Sequence, residues 1–339
     1  MTMAASLDPT AGFPALCFGK LPGFADFVRH NAGGRDVLAF DRWLQQGLFH
    51  ARAELRDEWP RAFREATPYH FVFFPESAES FLVGVLQPSR DRGEREYPFV
   101  VAQRVDRRFP AALLPLAPVL FAPFLDAAAR LIREATAGMS AAAIVEATER
   151  LPDAVLHRAE AAVRAYAAHL TATRTAEVAE GLWGADGDAR LARALRAMLD
   201  VLLPLRGRNA ARLAPGLRFP LPPDIPGLHV VCSFWLDATA LLTGASSPRP
   251  FLFWTPPGAA ERAHLFVFLR EPSPRSVLQL LRPDRPADAI HPIDDGLADD
   301  APARALPSPL AGALAPRDAT LRQLLDARAG PRLRAPSLR

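Results

Sequence analysis

Three short runs rich in phenylalanine and valine, His70–Phe74, Phe81–Leu86 and Pro98–Ala102, follow one another with only polar turns between them. Aromatic and β-branched residues in runs of this length favour strands. Parallel neighbours would need a crossover of about a dozen residues or more, so the spacing predicts successive antiparallel strands. The segment CFGKLPGFAD at 17–26 reads as a further strand running into a tight loop, because Gly19, Pro22 and Gly23 interrupt it, with Lys20 and Asp26 flanking the loop.

One helix stands out. From Val37 to Phe63, Phe40, Trp43, Leu44, Gly47, Leu48, Ala51, Leu55, Trp59 and Phe63 recur at helical spacing with Arg and Glu between them, and Pro60 marks an end or a bend. A proline-marked stretch, FPAALLPLAPVLFAPF, then leads into an Ala-rich helix at about Leu125–Ala137. Helical patterning continues over Ala141–Leu170 and over Leu182–Leu203, the latter around a break at Trp183–Asp188. Leu203–Pro226 is rich in Arg and Pro and reads as an extended connector. Leu228–Leu236, Pro250–Trp254 and His264–Leu269 read as strands, Ser273–Leu281 as a short helix and Ala311–Ala327 as a weak one.

The expected architecture is α/β: a mainly antiparallel sheet flanked by helices over 12–135, a helical region over 136–210, a second, smaller α/β region over 211–300, and a Pro/Ala/Arg-rich C-terminal region over 301–339, mobile after Ala329.

Composition narrows the function classes. With 339 residues, half of them hydrophobic, the chain has ample material for a core. Its 40 Lys+Arg against 37 Asp+Glu leave no concentrated basic stripe of the kind nucleic acid requires. Only Cys17 and Cys232 are present, which suits a reducing, cytoplasmic compartment. The N-terminus lacks a basic region followed by an uninterrupted apolar one, and no later run approaches a membrane span of about 18 apolar residues.

The eight histidines make no HExxH, HxH or Cys/His pair, and there is no GxSxG elbow, P-loop or strand-linked GxGxxG. No metal or cofactor is expected. The polar candidates are Lys20, Asp26 and the loop cluster Arg90, Asp91, Arg92, Glu94, Arg95 and Glu96. Two readings stay open: a hydrolase or transferase built from Asp26, Asp41, Lys20 and an arginine, or charged turns serving as structure and as a binding face. Trp43 is likewise either an interface anchor or, as is commoner at helical spacing, a core residue.

In order along the chain, FGKLPGFADFVRH, FDRWLQQGL, HARAELRDEWPRAF and GVLQPSRDRGEREYPFVVA resemble the TagF/ImpM family of bacterial type VI secretion. Gly19–Pro22 matches its opening GKLP and Asp26–Val28 its DFV. Asp41, Trp43, Leu44, Gln45, Gly47 and Leu48 fit the DxWLQxGL helix, and Asp91, Arg92, Tyr97 and Pro98 the turn before the last strand. The chain departs from the family in having Phe24-Ala25 where an Arg-Gly pair is usual, and DRGEREYPF in place of DRVGRYFPL. An interaction depending on that arginine is expected to be altered. The resemblance implies a longin- or roadblock-like N-terminal domain and a non-catalytic, cytoplasmic regulator that represses secretion by binding a forkhead-associated or other assembly component. For such a regulator the candidate binding surface is Lys20, Asp26, Asp41, Arg42, Trp43, Arg90, Asp91, Arg92 and Arg95.

Overall fold

The computed structural model describes residues 13–76, 78–153, 159–206, 216–222, 227–244, 249–259, 263–286, 289–293, 306–316 and 318–329. The basic C-terminal tail and the extreme N-terminus therefore lie outside the described residues. The first half contains β1 (Leu16–Gly19), β2 (Val28–His30), α1 (Arg35–Leu55), α2 (Trp59–Glu65), β3 (Tyr69–Phe73), β4 (Ser80–Gln87) and β5 (Phe99–Asp106). Helices follow: α3 (Ala117–Leu120), α4 (Ala122–Gly138), α5 (Ala141–Glu149), α6 (Ala159–Ala172), α7 (Thr175–Trp183) and α8 (Gly187–Leu202). The remainder is β6 (Gly216–Leu221), α9 (Leu228–Thr243), β7 (Phe251–Trp254), β8 (Ala263–Phe268), α10 (Val277–Leu281), β9 (Ile290–Pro292), α11 (Ser308–Leu314) and α12 (Leu321–Ala329).

The nine strands among the described residues form one sheet in the order β2-β1-β5-β4-β3-β7-β8-β6-β9. Every pairing is antiparallel except β6 with β9. The strands after residue 211 do not make a sheet of their own: β7 pairs with β3, His70 opposite Trp254 and Phe71 opposite Phe253.

Side chains alternate across this sheet, and each face has its own cover. Phe71 and Phe253 point to α1, where Phe40 stacks on Phe71 at 4.6 Å and Trp43 on Phe253 at 5.3 Å between ring centroids. The opposite face carries His70, Trp254 and Phe219. Phe219 stacks on Trp235 of α9 at 5.2 Å, while α4 packs against β4 and β5. No single helix among the described residues is long and apolar enough to cross a membrane, although the bent pair Ala111–Leu120 and Ala122–Gly138 has the length and composition. The apolar side of α4 is spent on the core, with Phe124, Leu125, Ala128, Leu131, Ile132 and Ala135 all buried.

Two elements differ from expectation. Leu228–Leu236 is the first half of helix α9, not a strand. Short apolar runs look alike in either state when every side is covered, and this one continues to Thr243, with Thr239 and Thr243 hydroxyls donating back to the carbonyls one turn earlier. The expected connector 203–226 contains β6, buried along its whole length. Pro220 is tolerated there because β9 pairs with Gly216–Arg218, and among the described residues the β9 side of β6 is unpaired beyond that point.

The α1 helix and the turn that follows it also lock the two halves together. Trp43 Nε1 donates to the Pro272 carbonyl at 2.9 Å, and Glu58 accepts from Arg282 and Arg285 at 2.8 Å each. A Cβ on Gly47 would run into the Val277 side chain and stand 2.6 Å from the Pro274 carbonyl oxygen. Helix propensity alone favours Gly47→Ala by about 1 kcal/mol. Because backbone occupies the space, that variant is expected instead to destabilise by about 1–2 kcal/mol in urea titrations.

His70 supplies a second test. It is buried, neither ring nitrogen has a hydrogen-bond partner among the described residues, and the ring lies parallel to His229 at 5.8 Å and edge-on to Trp254 at 5.4 Å. Burial, reinforced by His229, pushes its pKa down to about 3. The unfolded chain therefore binds a proton that the native chain refuses, and stability falls as pH drops from about 6.5 toward the folded value. Between pH 7 and pH 5 wild type should lose about 2 kcal/mol more than His70→Phe, at about 1.4 kcal/mol per pH unit. The difference between the two chains isolates His70 from other titrating groups.

Candidate functional site

The sheet order brings two loops together. Strand β1 ends at Gly19 opposite Phe99, the first residue of β5, so residues 20–27 after β1 lie beside residues 88–98 before β5. The approach is close: Gly19 has φ +129°, and a Cβ there would meet the Pro98 carbonyl.

Asp91 organises the second loop. Its Oδ1 accepts the backbone N–H groups of Gly93 and Arg95 at 2.9 Å each, and its Oδ2 accepts Arg95 Nε at 2.7 Å and faces Lys20 Nζ at 3.1 Å. Burial disfavours the carboxylate, but the Arg95 N–H and the Lys20 ammonium outweigh it and hold the carboxyl down at about 2. Lys20 is itself buried and also sits over the Phe27 ring at 5.6 Å. The staple is completed by the Arg92 N–H donating to the Phe24 carbonyl at 2.8 Å and by the Arg95 guanidinium donating to the Ala25 carbonyl. Phe24 and Ala25, which replace the family's usual Arg-Gly, thus contribute through backbone oxygens that any residue provides. Glu94 adopts φ +63° at the tip, where the family's turn has its glycine.

A second buried anchor joins this loop to α1. The Tyr97 hydroxyl donates to Asp41 Oδ1, while Gln45 donates to Asp41 Oδ2 at 3.0 Å and Arg29 stands 3.8 Å away. Burial, and then the Asp41 charge, raise the Tyr97 pKa, so the phenol keeps its proton.

Beside the staple lies a cleft of about 610 Å³. Pro22, Pro60, Phe63 and Pro88 give it apolar walls, and Arg64, Arg90, Glu94 and Glu96 supply charge. These charges are engaged: Glu94 pairs with Arg90, Glu96 accepts the Trp59 indole N–H, and Arg64 Nε donates to the Pro60 carbonyl at 2.9 Å.

The sequence-derived residues therefore divide. Lys20, Asp41 and Asp91 are buried and committed to partners. Asp26, with 94% of its side chain exposed, Arg90, Arg92 and Arg95 stand outward on the stapled loops. Arg42 is also exposed, but on α1. Trp43 is not on the surface at all: at 3% exposure it packs among Phe40, Phe73 and Phe253, so its interface role is replaced by a core role. Each group of the hydrolase or transferase alternative has its own partner. Lys20 is held by Asp91, Asp41 by Tyr97 and Gln45, and Asp26 has Arg95 at 3.7 Å. Sequence reasoning missed Tyr97 as the partner of Asp41 and Glu96 as the partner of Trp59, which are 56 and 37 positions apart. No motif spacing links such pairs; only the strand order does.

Among curated proteins, none matches this chain. The crystal structure of PA0076 from Pseudomonas aeruginosa PAO1 at 2.05 Å is similar at 25% identity over 41% of this chain and 62% of that one, with a TM-score of 0.37. The matched part is thus less than two thirds of that protein's length. Residues 16–152 match the family model described as the TagF N-terminal domain, type VI secretion system-associated. This span contains both stapled loops and the helix that anchors them, so residues 16–152 are similar to the type VI secretion-associated TagF N-terminal domain, in line with the motifs that resemble the TagF/ImpM family.

Proposed function

We propose that this chain is a cytoplasmic, non-catalytic regulator that represses type VI secretion after translation, by binding a forkhead-associated or other assembly component. The observation that carries this reading is the stapling of the two loops. Lys20–Asp91 and the Arg92 N–H to Phe24 bond fix them before any partner arrives, with Asp26, Arg90, Arg92 and Arg95 presented outward. Fixed exposed charges of both signs suit selective protein recognition and steer association. The charged groups are spent on one another instead of aimed at a common reacting atom, which favours binding over the hydrolase or transferase alternative. Repression follows if the assembly-incompetent form of the component is bound more tightly, since equal affinity for both forms shifts nothing.

The test is a titration of purified assembly components against wild type and against Asp26→Lys/Arg92→Glu, with Arg190→Glu on α8 as control. Saturable binding by wild type that weakens about tenfold or more in the double variant, equivalent to about 1.4 kcal/mol, and stays unchanged in the control supports the reading. Binding that ignores the double reversal removes this face, and substrate turnover without a stable complex removes the regulator. Asp91→Asn should lower the melting midpoint and also weaken binding, because Lys20 is left buried without its counter-charge and the loops separate. Asp26→Asn should leave the midpoint unchanged.

A further inference from the structure

Four large apolar side chains are exposed among the described residues: Phe27 at 44%, Leu38 at 54%, Phe49 at 73% and Leu203 at 43%. Leu38 and Phe49 both belong to α1. They share one side of it with Arg42 and Gln45, since positions 38, 42, 45 and 49 follow the i, i+4, i+7, i+11 rule, and at about 1.5 Å per residue the stripe runs about 16 Å. Phe27 lies close to the same helix, packed on Tyr97 at 5.0 Å, whose hydroxyl bonds Asp41 of α1.

The charges of α1 are sorted. Its two N-terminal acids are buried and partnered: Asp36 takes Arg104 at 2.7 Å and Ser80 at 2.8 Å, and Asp41 takes Tyr97 and Gln45, with Arg29 at 3.8 Å. Its bases Arg35, Arg42 and Arg52 are exposed, and Glu54 near the C-terminal end is the exposed acid of the helix. The inward face is committed to the core through Phe40, Trp43, Leu44 and Leu48. What remains outward is an apolar and basic ridge with nothing in the described structure covering it.

We propose that this ridge docks an acidic protein segment that carries two large apolar anchors, one for Leu38 and one for Phe49, with carboxylates set against Arg35, Arg42 and Arg52. This rests on reading the chain as a binding protein and specifies its partner's chemistry. Charge complementarity selects the acidic segment. A lipid surface fits less well, because interfacial helices bury a continuous apolar face, whereas Leu38 and Phe49 are separated by Arg42 and two exposed glutamines. Discrete anchors inside a polar surround are the pattern of a protein interface.

The experiment uses the full chain and a labelled helical peptide with Leu and Phe on one face flanked by Glu, together with the same peptide carrying Lys for Glu. The acidic peptide should bind saturably and lose affinity as salt rises, and the Lys version should bind at least tenfold more weakly. Leu38→Ser/Phe49→Ser should weaken acidic-peptide binding at least tenfold with an unchanged melting midpoint, and Arg42→Glu should also weaken it. Equal binding of both peptides, or of wild type and the Ser variant, overturns the proposal. So does stronger retention on phosphatidylcholine vesicles containing phosphatidylserine than on the peptide, or a dimer in sedimentation that the Ser variant abolishes. If no assembly component binds while the peptide results hold, the secretion reading fails and the ridge stands.

Discussion

Trp43 reaches further across the sequence than its position suggests. Its ring is stacked on Phe253, its N–H is bonded to the Pro272 carbonyl 229 positions away, and its neighbour Phe40 covers Phe71 on the adjoining strand. One helix thus spans the seam where β3 pairs with β7. That seam makes a single sheet of strands from both halves of the chain. Cutting the chain after the family-matched residues 16–152 would expose the β3 edge and the aromatic layer together.

The loops inherit their order from this arrangement. Strand β5 is central, paired on one side with β1 and on the other with β4, so the loops entering and leaving these strands are placed by ladder hydrogen bonds. Asp91 then closes the remaining freedom with several bonds to one carboxylate. Such a group tolerates burial because each of its oxygens is satisfied. The same logic holds for Asp36 and Asp41, whose partners come from β4, β5 and the loop before β5.

Local patterns in the chain reveal what depends on local spacing. The α1 stripe, the three Phe/Val strands and the break near Trp183 are visible because helix and strand periodicities act over a few residues. Helix α9 and strand β6 are hidden because both are covered by neighbouring elements, where alternation vanishes and a proline in β6 need only lie beyond the last residue paired with β9. Site residues follow the same division. The motifs find Lys20, Asp41 and Asp91, but whether a charge faces water or a buried partner is decided by Tyr97, Arg95 and Arg104, which topology supplies from distant positions. Glu94 shows the limit in one residue: φ +63° asks for glycine, and the pairing with Arg90 accompanies a side chain there instead.

Burying acids while exposing bases gives α1 its two roles. Carboxylates near the N-terminal end of a helix are favoured by its dipole, and here Asp36 also bonds the Val37 N–H at 2.8 Å while holding Arg104. Each inward acid removes a negative charge from the surface and recruits a residue from the sheet or its loops. The outward arginines, left without those counter-charges, define the sign of the exposed face. Stability and the sign of the exposed face are therefore coupled through the same two aspartates. A partner that reads the positive ridge is reading the consequence of how the helix is fastened to the core, so substitutions at Asp36 or Asp41 alter the electrostatics of a surface on which neither residue is exposed.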